Sequence, residues 1–304
     1  MNLRKSCLPP GWYPHDPEKI AAFLEKTAGE RQRDTLNGSF NRVKAAVAPH
    51  AGWYYSGDVA ARAVSALTAD SQKPDTVAVI GGHLPYGMPV LFAGEDAVFS
   101  PLGNMEIDMG LREEFENKIR KISGFGTGED NYRDNTVEVL LPMVKYFFPE
   151  AKLLWLRFPA DLRSFDAGRI LASTAVFLDR KIIALGSTDL THYGSNYGFS
   201  PKGYGRQALD WVKTVNDRRF IDAVEEGNPA LVLERAEKEH SACSAGAVLG
   251  VMGYMAEIRA AETHGSENSA GRLLAYSTSA DITIGEGEPL PDSFVGYGAI
   301  TWEA

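Results

Sequence analysis

Three of the six histidines in this chain come directly after apolar, β-branched stretches. The pairs are Val43–Pro49 with His50, Thr76–Gly82 with His83, and Lys181–Thr191 with His192. Short apolar stretches that alternate with helical patterns are typical of parallel strands in an α/β sheet, whose ligands bind at the carboxyl ends of the strands. The pattern predicts three imidazoles at one sheet edge, as a metal site or an acid–base site requires. Taken singly, His50 equally fits a core histidine, and His83 fits an exposed turn residue.

Two further side chains could complete such a site. Asp189 lies three residues before His192, so its carboxylate could fix the tautomer of that imidazole, although it could also cap a helical turn. Cys243 lies at the predicted start of a helix, which favours a thiolate, although a buried inert thiol is the common alternative. Two imidazoles and a thiolate, from His50, His83 and Cys243, would form a three-ligand site with an open position. Such ligands suit copper, iron or zinc better than magnesium or calcium.

Composition excludes several classes of protein. The 304 residues are 44% hydrophobic and 23% charged, which is ordinary for a globular protein with a large core. The net charge of −9 argues against nucleic-acid and membrane-surface partners. The N-terminus is too polar for a signal peptide, and no stretch has the roughly 18 apolar residues of a membrane span. Cys7 and Cys243 fit reduced thiols better than a disulfide, so we expect a cytoplasmic protein.

The elements that must position these residues follow from hydrophobic periodicity and turn signals. Predicted helices cover residues 16–30, 58–67 with Asp58 as N-cap, 108–121, 136–148, 166–179, 207–226, 229–240 and 245–258. Besides the three strands that precede histidines, predicted strands cover 151–158, 272–279 and 294–302, with a hairpin over 89–99. Because strands bracket the helical segments, we expect one α/β domain over residues 1–304, with a mainly parallel central sheet flanked by helices.

Several motifs in order along the chain resemble a known family. They are Gly11-Trp12-Tyr13-Pro14, Pro49-His50-Ala51-Gly52, Gly82-His83, Ser100-Pro101-Leu102-Gly103 with Ile107-Asp108, Ser187-Thr188-Asp189 with His192-Tyr193-Gly194, and Cys243. Together they resemble the Memo family, which is similar in fold to class III extradiol dioxygenases, the non-haem-iron enzymes that open catechol rings. The match spans residues 11 to about 246 and so covers most of the chain.

The resemblance implies roles for seven residues. The implied roles are metal ligation by His50, His83 and Cys243, acid–base chemistry by His192 with Asp189 beside it, and substrate contact by Trp12 and Tyr55. Iron or copper is the expected metal, with zinc as a further option. Where the dioxygenases use a glutamate as third ligand, this family presents a cysteine. Ring cleavage therefore does not follow from the fold alone.

The chain departs from the family pattern at three places. The family commonly reads Glu-His-Ser where this chain has Asp134-Asn135-Thr136. Asparagine can form hydrogen bonds but cannot titrate, so Asn135 cannot transfer the proton that a histidine there would. Gly82 stands where the family usually has serine, and Ser244 stands where glycine often follows the cysteine. These departures leave the predicted ligands intact and indicate an altered pocket.

Three functions follow as hypotheses. The first is a Memo-like, metal-dependent redox enzyme that acts on an unknown small substrate, with His192 as acid and base. The alternative is a non-catalytic binding or adaptor module whose pocket recognises a peptide or an anionic ligand. The third is a metal-free enzyme in which His192 or His50 activates Cys243 as nucleophile. In prokaryotes, the resemblance also implies association with a radical-SAM enzyme and a small companion protein.

Overall fold

Two β-sheets organise the chain. The computed structural model describes residues 2–34, 42–69, 73–121, 125–262, 269–283 and 290–304. In chain order the strands are β1 (Leu3–Arg4), β2 (Val43–Ala48), β3 (Thr76–Leu84), β4 (Val90–Phe92), β5 (Ala97–Val98), β6 (Met105–Glu106), β7 (Thr127–Glu129), β8 (Lys152–Pro159), β9 (Ile182–Ser187), β10 (His192–Gly194), β11 (Arg272–Thr278) and β12 (Ser293–Glu303).

The large sheet has the strand order β10-β12-β2-β9-β3-β8-β4-β7, and β11 also pairs with β12. Its four central strands, β2, β9, β3 and β8, run parallel. The pairings of β12 with β2, β10 and β11, and of β4 with β8, are antiparallel. The predicted single α/β domain with a helix-flanked sheet is confirmed. Parallel pairing dominates its centre, and the sheet as a whole is mixed.

Helices cover both faces of the large sheet. They are α1 (Pro17–Asp34), α2 (Trp53–Ala66), α3 (Met109–Ile119), α4 (Asn135–Glu138), α5 (Leu141–Phe147), α6 (Arg163–Phe177), α7 (Arg206–Trp211), α8 (Asp217–Glu225), α9 (Pro229–Glu239), α10 (Ala245–Glu262) and α11 (Ser279–Thr283). Alternate residues of a strand point to opposite faces, so Ala45 and Val47 pack in the cluster that contains α6 and α10, whereas Ala46 and Ala48 pack in the one that contains α1 and α2. Burial on both faces explains the near-continuous apolar stretches of the central strands.

Helices α6 and α10 touch backbone to backbone. A β-carbon added to Gly168 would lie 1.9 Å from the carbonyl oxygen of Gly250, so only glycine permits this approach. The close packing holds α10 against α6, and the loop that carries Cys243 leads directly into α10. In the described part of the chain, no helix combines the length and the apolarity that a membrane crossing needs.

The predicted start of the second helix is wrong. Helix α2 begins at Trp53 with Gly52 as N-cap, and the backbone N–H of Trp53 donates to the carbonyl oxygen of Trp12 at 2.8 Å. Asp58 lies inside the helix and forms an ion pair with Arg62 at 3.0 Å. The N-terminal loop therefore supplies a backbone acceptor that the local sequence of α2 does not reveal.

The predicted helix over 136–148 is divided into α4 and α5. Pro142 lies in the first turn of α5, where a backbone N–H would have no acceptor within the helix. Proline is therefore tolerated at the start of α5, whereas it would disrupt the interior of one continuous helix. The apolar side chains of this segment are buried in the core at Val137, Leu140, Leu141 and Val144.

The predicted hairpin over 89–99 is also wrong. Strand β4 belongs to the large sheet, whereas β5 pairs with β1 and β6 in a separate three-stranded sheet. One of the two partners of β5 is Leu3–Arg4, far away in the chain, so local turn signals could not show that pairing. The remaining predicted elements are present with bounds that shift by a few residues, and residues 207–226 include a π-helical turn over Val212–Asn216.

Candidate functional site

Two of the predicted histidines lie at the carboxyl ends of central strands. His50 follows the last residue of β2 by two positions and is fully buried. His83 is the penultimate residue of β3 and has a φ of +57°, a left-handed conformation that non-glycine residues rarely adopt. The pairing of β3 with β8 shifts between Gly81 and Leu84, and such irregularities commonly re-aim a side chain at a site.

His192 has a different position from the one predicted. Strand β9 ends at Ser187, and His192 is instead the first residue of β10, opposite Val295 of β12. The pattern was misleading because the apolar stretch of β9 leads into four more residues that are buried without being part of the strand. His192 still lines the same cleft as His50 and His83.

Cys243 reaches the histidines from the loop before α10. Its backbone N–H donates to the carbonyl oxygen of Asp189 at 3.2 Å, which ties this loop to the segment after β9. The helix begins at Ala245, two residues beyond the thiol. Cys243 therefore lies in the loop just before the helix, and the predicted helix start at residue 245 is confirmed.

The structure brings His50, His83 and Cys243 together. One donor atom from each lies within 4.8 Å of the other two. Cys243 Sγ lies 3.2 Å from His50 Nε2, and the rings of His50 and His83 meet edge to face with centroids 4.8 Å apart. Three donors this close could together coordinate a single ion, since metal–ligand distances for such atoms are roughly 2.0–2.3 Å.

Each imidazole of this cluster has its other ring nitrogen in a hydrogen bond. His50 Nδ1 lies 2.9 Å from Ser187 Oγ, and His83 Nδ1 lies 2.9 Å from Asp134 Oδ2. Asp134 is itself held by Arg157, whose Nη2 is 3.2 Å from Oδ2. Such outer contacts fix ring orientation at metal sites and leave Nε2 for the centre. Sequence reasoning missed Ser187 and Arg157 because neither role has a local signature.

Gly82 and Ser244, the two departures from the family pattern that lie beside these ligands, contact each other. A β-carbon added to Gly82 would lie 2.3 Å from the β-carbon of Ser244. The hydroxyl of Ser244 instead accepts the backbone N–H of His83 at 3.2 Å. Glycine at one position makes room for serine at the other, so the pocket changes while the ligands keep their places.

Asp189 contacts two imidazoles. Its Oδ1 accepts the backbone N–H of His50 at 2.7 Å, while Oδ2 lies 3.9 Å from His50 Nε2 and 3.7 Å from His192 Nε2. At those distances the contacts to the rings are ionic. His192 Nε2 is buried and has no hydrogen-bond partner among the described residues. The His192 side chain as a whole is 34% exposed and lines the cleft, so the ring can contact a molecule there.

The charges in the cluster support one another. Burial raises the pKa of the Cys243 thiol, but the charge of His50 and hydrogen bonds from His50 and His83 outweigh it and lower the pKa well below its ordinary value. Burial lowers the pKa of His50, but the charges of Cys243 and Asp189 prevail and raise it. At His83 the bonds to Asp134 and Cys243 overcome burial and raise the pKa to about 10. These shifts favour a thiolate beside protonated imidazole rings, and a bound metal ion would displace the ring protons.

A cleft of about 810 Å³ opens above the cluster. Trp12 and Tyr55 line it, as the resemblance implies, together with Tyr54, Tyr197 and Tyr297. Asn135 also lines the cleft, and its Nδ2 donates to the carbonyl oxygen of His50 at 2.8 Å. The residue that replaces the family histidine therefore supports the backbone of a predicted ligand.

Fold and site together define an α/β protein with a His–His–Cys donor cluster at the carboxyl edge of its parallel strands. The sequence profile of the Memo-like protein family matches residues 4–301. The chain belongs to this family, so the identification from motif order is confirmed.

Relatives of similar length support the same assignment. A MEMO1 family protein of Pyrococcus abyssi is 30% identical over 86% of this chain and 88% of its own, and one of Pyrococcus horikoshii is 28% identical over 93% and 92%. A crystal structure of an uncharacterized Escherichia coli K12 protein covers 86% of this chain and 99% of its own, at 12% identity and a TM-score of 0.39. That likeness is too distant to bear on the site.

Proposed function

We propose that this protein is a metal-dependent redox enzyme in which His50, His83 and Cys243 hold iron or copper. The same donors could also hold zinc, but zinc would not supply redox chemistry. The supporting observation is the donor cluster itself, in which both imidazoles have Nδ1 in a hydrogen bond and Nε2 left for coordination. A soft thiolate with two imidazoles suits these metals. When bound, iron or copper supplies a redox-active centre with an open coordination position.

His192 acts as the acid and base for a substrate in the cleft. Its partly exposed ring lines the cleft, and Asp189 Oδ2 at 3.7 Å from Nε2 stabilises the imidazolium form. Asn135 cannot titrate, so proton transfer at the cleft rests on His192. The aromatic walls formed by Trp12 and Tyr55 orient an unidentified small substrate against these groups.

Metal analysis tests this proposal. The protein is purified anaerobically without an affinity metal column and assayed for metal content, beside Cys243→Ser and His50→Ala. We expect near-stoichiometric iron or copper that both variants lose. Cys7→Ser and His15→Ala are matched controls outside the cluster and should keep the metal. Wild-type protein that holds no metal, even after reconstitution, would contradict the proposal.

A metal-free cysteine enzyme is the second candidate, favoured by the 3.2 Å contact between Cys243 Sγ and His50 Nε2. A thiolate paired with an imidazolium is the activated form of a nucleophilic cysteine. Under this alternative, alkylation of Cys243 abolishes turnover while the metal content stays at zero. Turnover that survives complete alkylation, or that requires added metal, would eliminate it.

A binding or adaptor module is the third candidate. Its supporting observation is the exposed aromatic rim of the cleft, where Tyr54 is 68% and Tyr55 is 43% exposed. The described residues that line the cleft include no lysine or arginine, so a peptide fits this rim better than an anion does. Ligand binding that His50→Ala abolishes, in a wild type without turnover, would favour this function over the enzyme.

A further inference from the structure

A second, smaller cavity lies beside the main cleft. This side pocket has a volume of about 330 Å³ and is lined by residues that include His192, Tyr197, Phe199, His240, Ala242 and Cys243. None of the motifs quoted above includes Phe199, His240 or Ala242. The imidazole of His240 packs against Phe199 in a tilted arrangement, with ring centroids 4.9 Å apart.

The two cavities contact different parts of the donor cluster. His50 and His83 line the main cleft, whereas Cys243 lines the side pocket. His192 and Tyr197 line both, and their rings lie 4.9 Å apart. These two side chains form the partition between the cavities. The thiol therefore faces one space while its imidazole partners face another.

The lining of the side pocket limits what could enter it. No lysine, arginine, aspartate or glutamate is among the described residues that line it. The wall contains the Cys243 thiol and the His192 imidazole, whose charged forms have opposite signs, so a molecule with a net charge would lose hydration and meet no excess of opposite charge. A molecule of a few non-hydrogen atoms and no net charge fits both the volume and the lining.

We propose that the side pocket is a separate access site through which a small, uncharged co-reactant reaches Cys243 while the substrate occupies the main cleft. The role of this co-reactant rests on the redox function proposed above, whereas the route itself does not. In such an arrangement, Cys243 would stay accessible from the side pocket while a substrate fills the main cleft. The substrate and the co-reactant would then not compete for one opening.

Alkylation by iodoacetamide, a small uncharged probe of thiols, tests the route. The full-length protein is treated with a chelator, so the result does not depend on whether the cluster binds metal. Peptide mapping follows Cys243, with Cys7 as an internal reference whose pKa burial and Glu138 raise to about 11. Ala242→Leu narrows the side pocket, and Thr283→Phe adds comparable bulk on the main cleft.

We expect Ala242→Leu to slow alkylation of Cys243 by roughly tenfold or more, because the probe must displace a packed side chain, and Thr283→Phe to slow it less than about twofold. Gly198→Asn is a second variant in the side pocket. Gly198 has a φ of +67°, which asparagine tolerates, and nothing lies within 4 Å of the added β-carbon. It should slow alkylation in the same direction. Slowing by Thr283→Phe alone, or equal slowing by all three variants, would overturn the proposal.

Discussion

The contact between Gly82 and Ser244 makes a sharp prediction about the altered pocket. Gly82→Ser should destabilise the protein, and the added change Ser244→Gly should restore stability. A β-carbon on Gly82 would lie 2.3 Å from Cβ, 2.5 Å from Oγ and 2.9 Å from Cα of Ser244. Because two of these atoms belong to the rigid start of the side chain and the backbone, rotation of the hydroxyl cannot relieve the clash.

The magnitudes follow from the contacts. Overpacking at Gly82 should lower the free energy of unfolding by about 1–3 kcal/mol. Ser244→Gly alone removes the hydroxyl that accepts the backbone N–H of His83 at 3.2 Å, which should cost about 0.5–1.5 kcal/mol. In the double variant the contacts at 2.3 and 2.5 Å are absent, and only the 2.9 Å contact with Cα of residue 244 remains, which a small shift relieves. The coupling energy between the two sites should therefore be about 1–3 kcal/mol in the stabilising direction.

Urea denaturation of the four proteins, in the presence of a chelator, measures this coupling. Gly110→Ser is the matched control, since the nearest atom to its added β-carbon is Asp108 Oδ1 at 3.8 Å, an ordinary contact. It should not reduce stability. If the double variant loses the sum of the two single losses, to within about 0.5 kcal/mol, the reasoning from this contact is refuted.

Three further predictions concern buried carboxylates. Burial raises the pKa of Asp217 from 3.8 to about 6, so the stability that its protonated form contributes is complete below pH 4. This contribution falls by about 3 kcal/mol as pH rises through 6. Asp217→Asn should remove this pH dependence from urea midpoints measured between pH 4 and 8. Asp134→Asn should weaken metal binding, measured by chelator competition, by about 10–100-fold because His83 Nδ1 loses a charged partner, whereas Asp161→Asn should not. Glu138→Ala removes the acceptor of the Ser6 and Tyr13 hydroxyls and of two backbone N–H groups. It should lower the free energy of unfolding by about 2 kcal/mol or more and speed limited proteolysis before residue 17. Unchanged proteolysis would contradict the role of Glu138 as the anchor of this N-terminal segment.

The sequence by itself determined the centre of the sheet. Strands β2, β3, β8 and β9 are buried on both faces, and burial on both faces leaves an uninterrupted apolar signature in the chain. It also determined which residue types could bind a metal, because imidazoles at strand ends and a rare thiol are visible without a structure. Motif order then identified the family. These features depend on neighbours along the chain.

The tertiary structure alone decided how those residues are arranged. The contacts of His83 with Asp134, of Gly82 with Ser244, and of Cys243 with His50 join residues 51, 162 and 193 positions apart in the chain. The same is true of β5, which leaves its predicted hairpin to pair with β1. Long-range contacts also place His192 in β10, where it pairs with β12. A further long-range contact lets the Asn135 side chain support the backbone of His50. Such pairings are chosen by packing between distant segments, and no local periodicity carries that information.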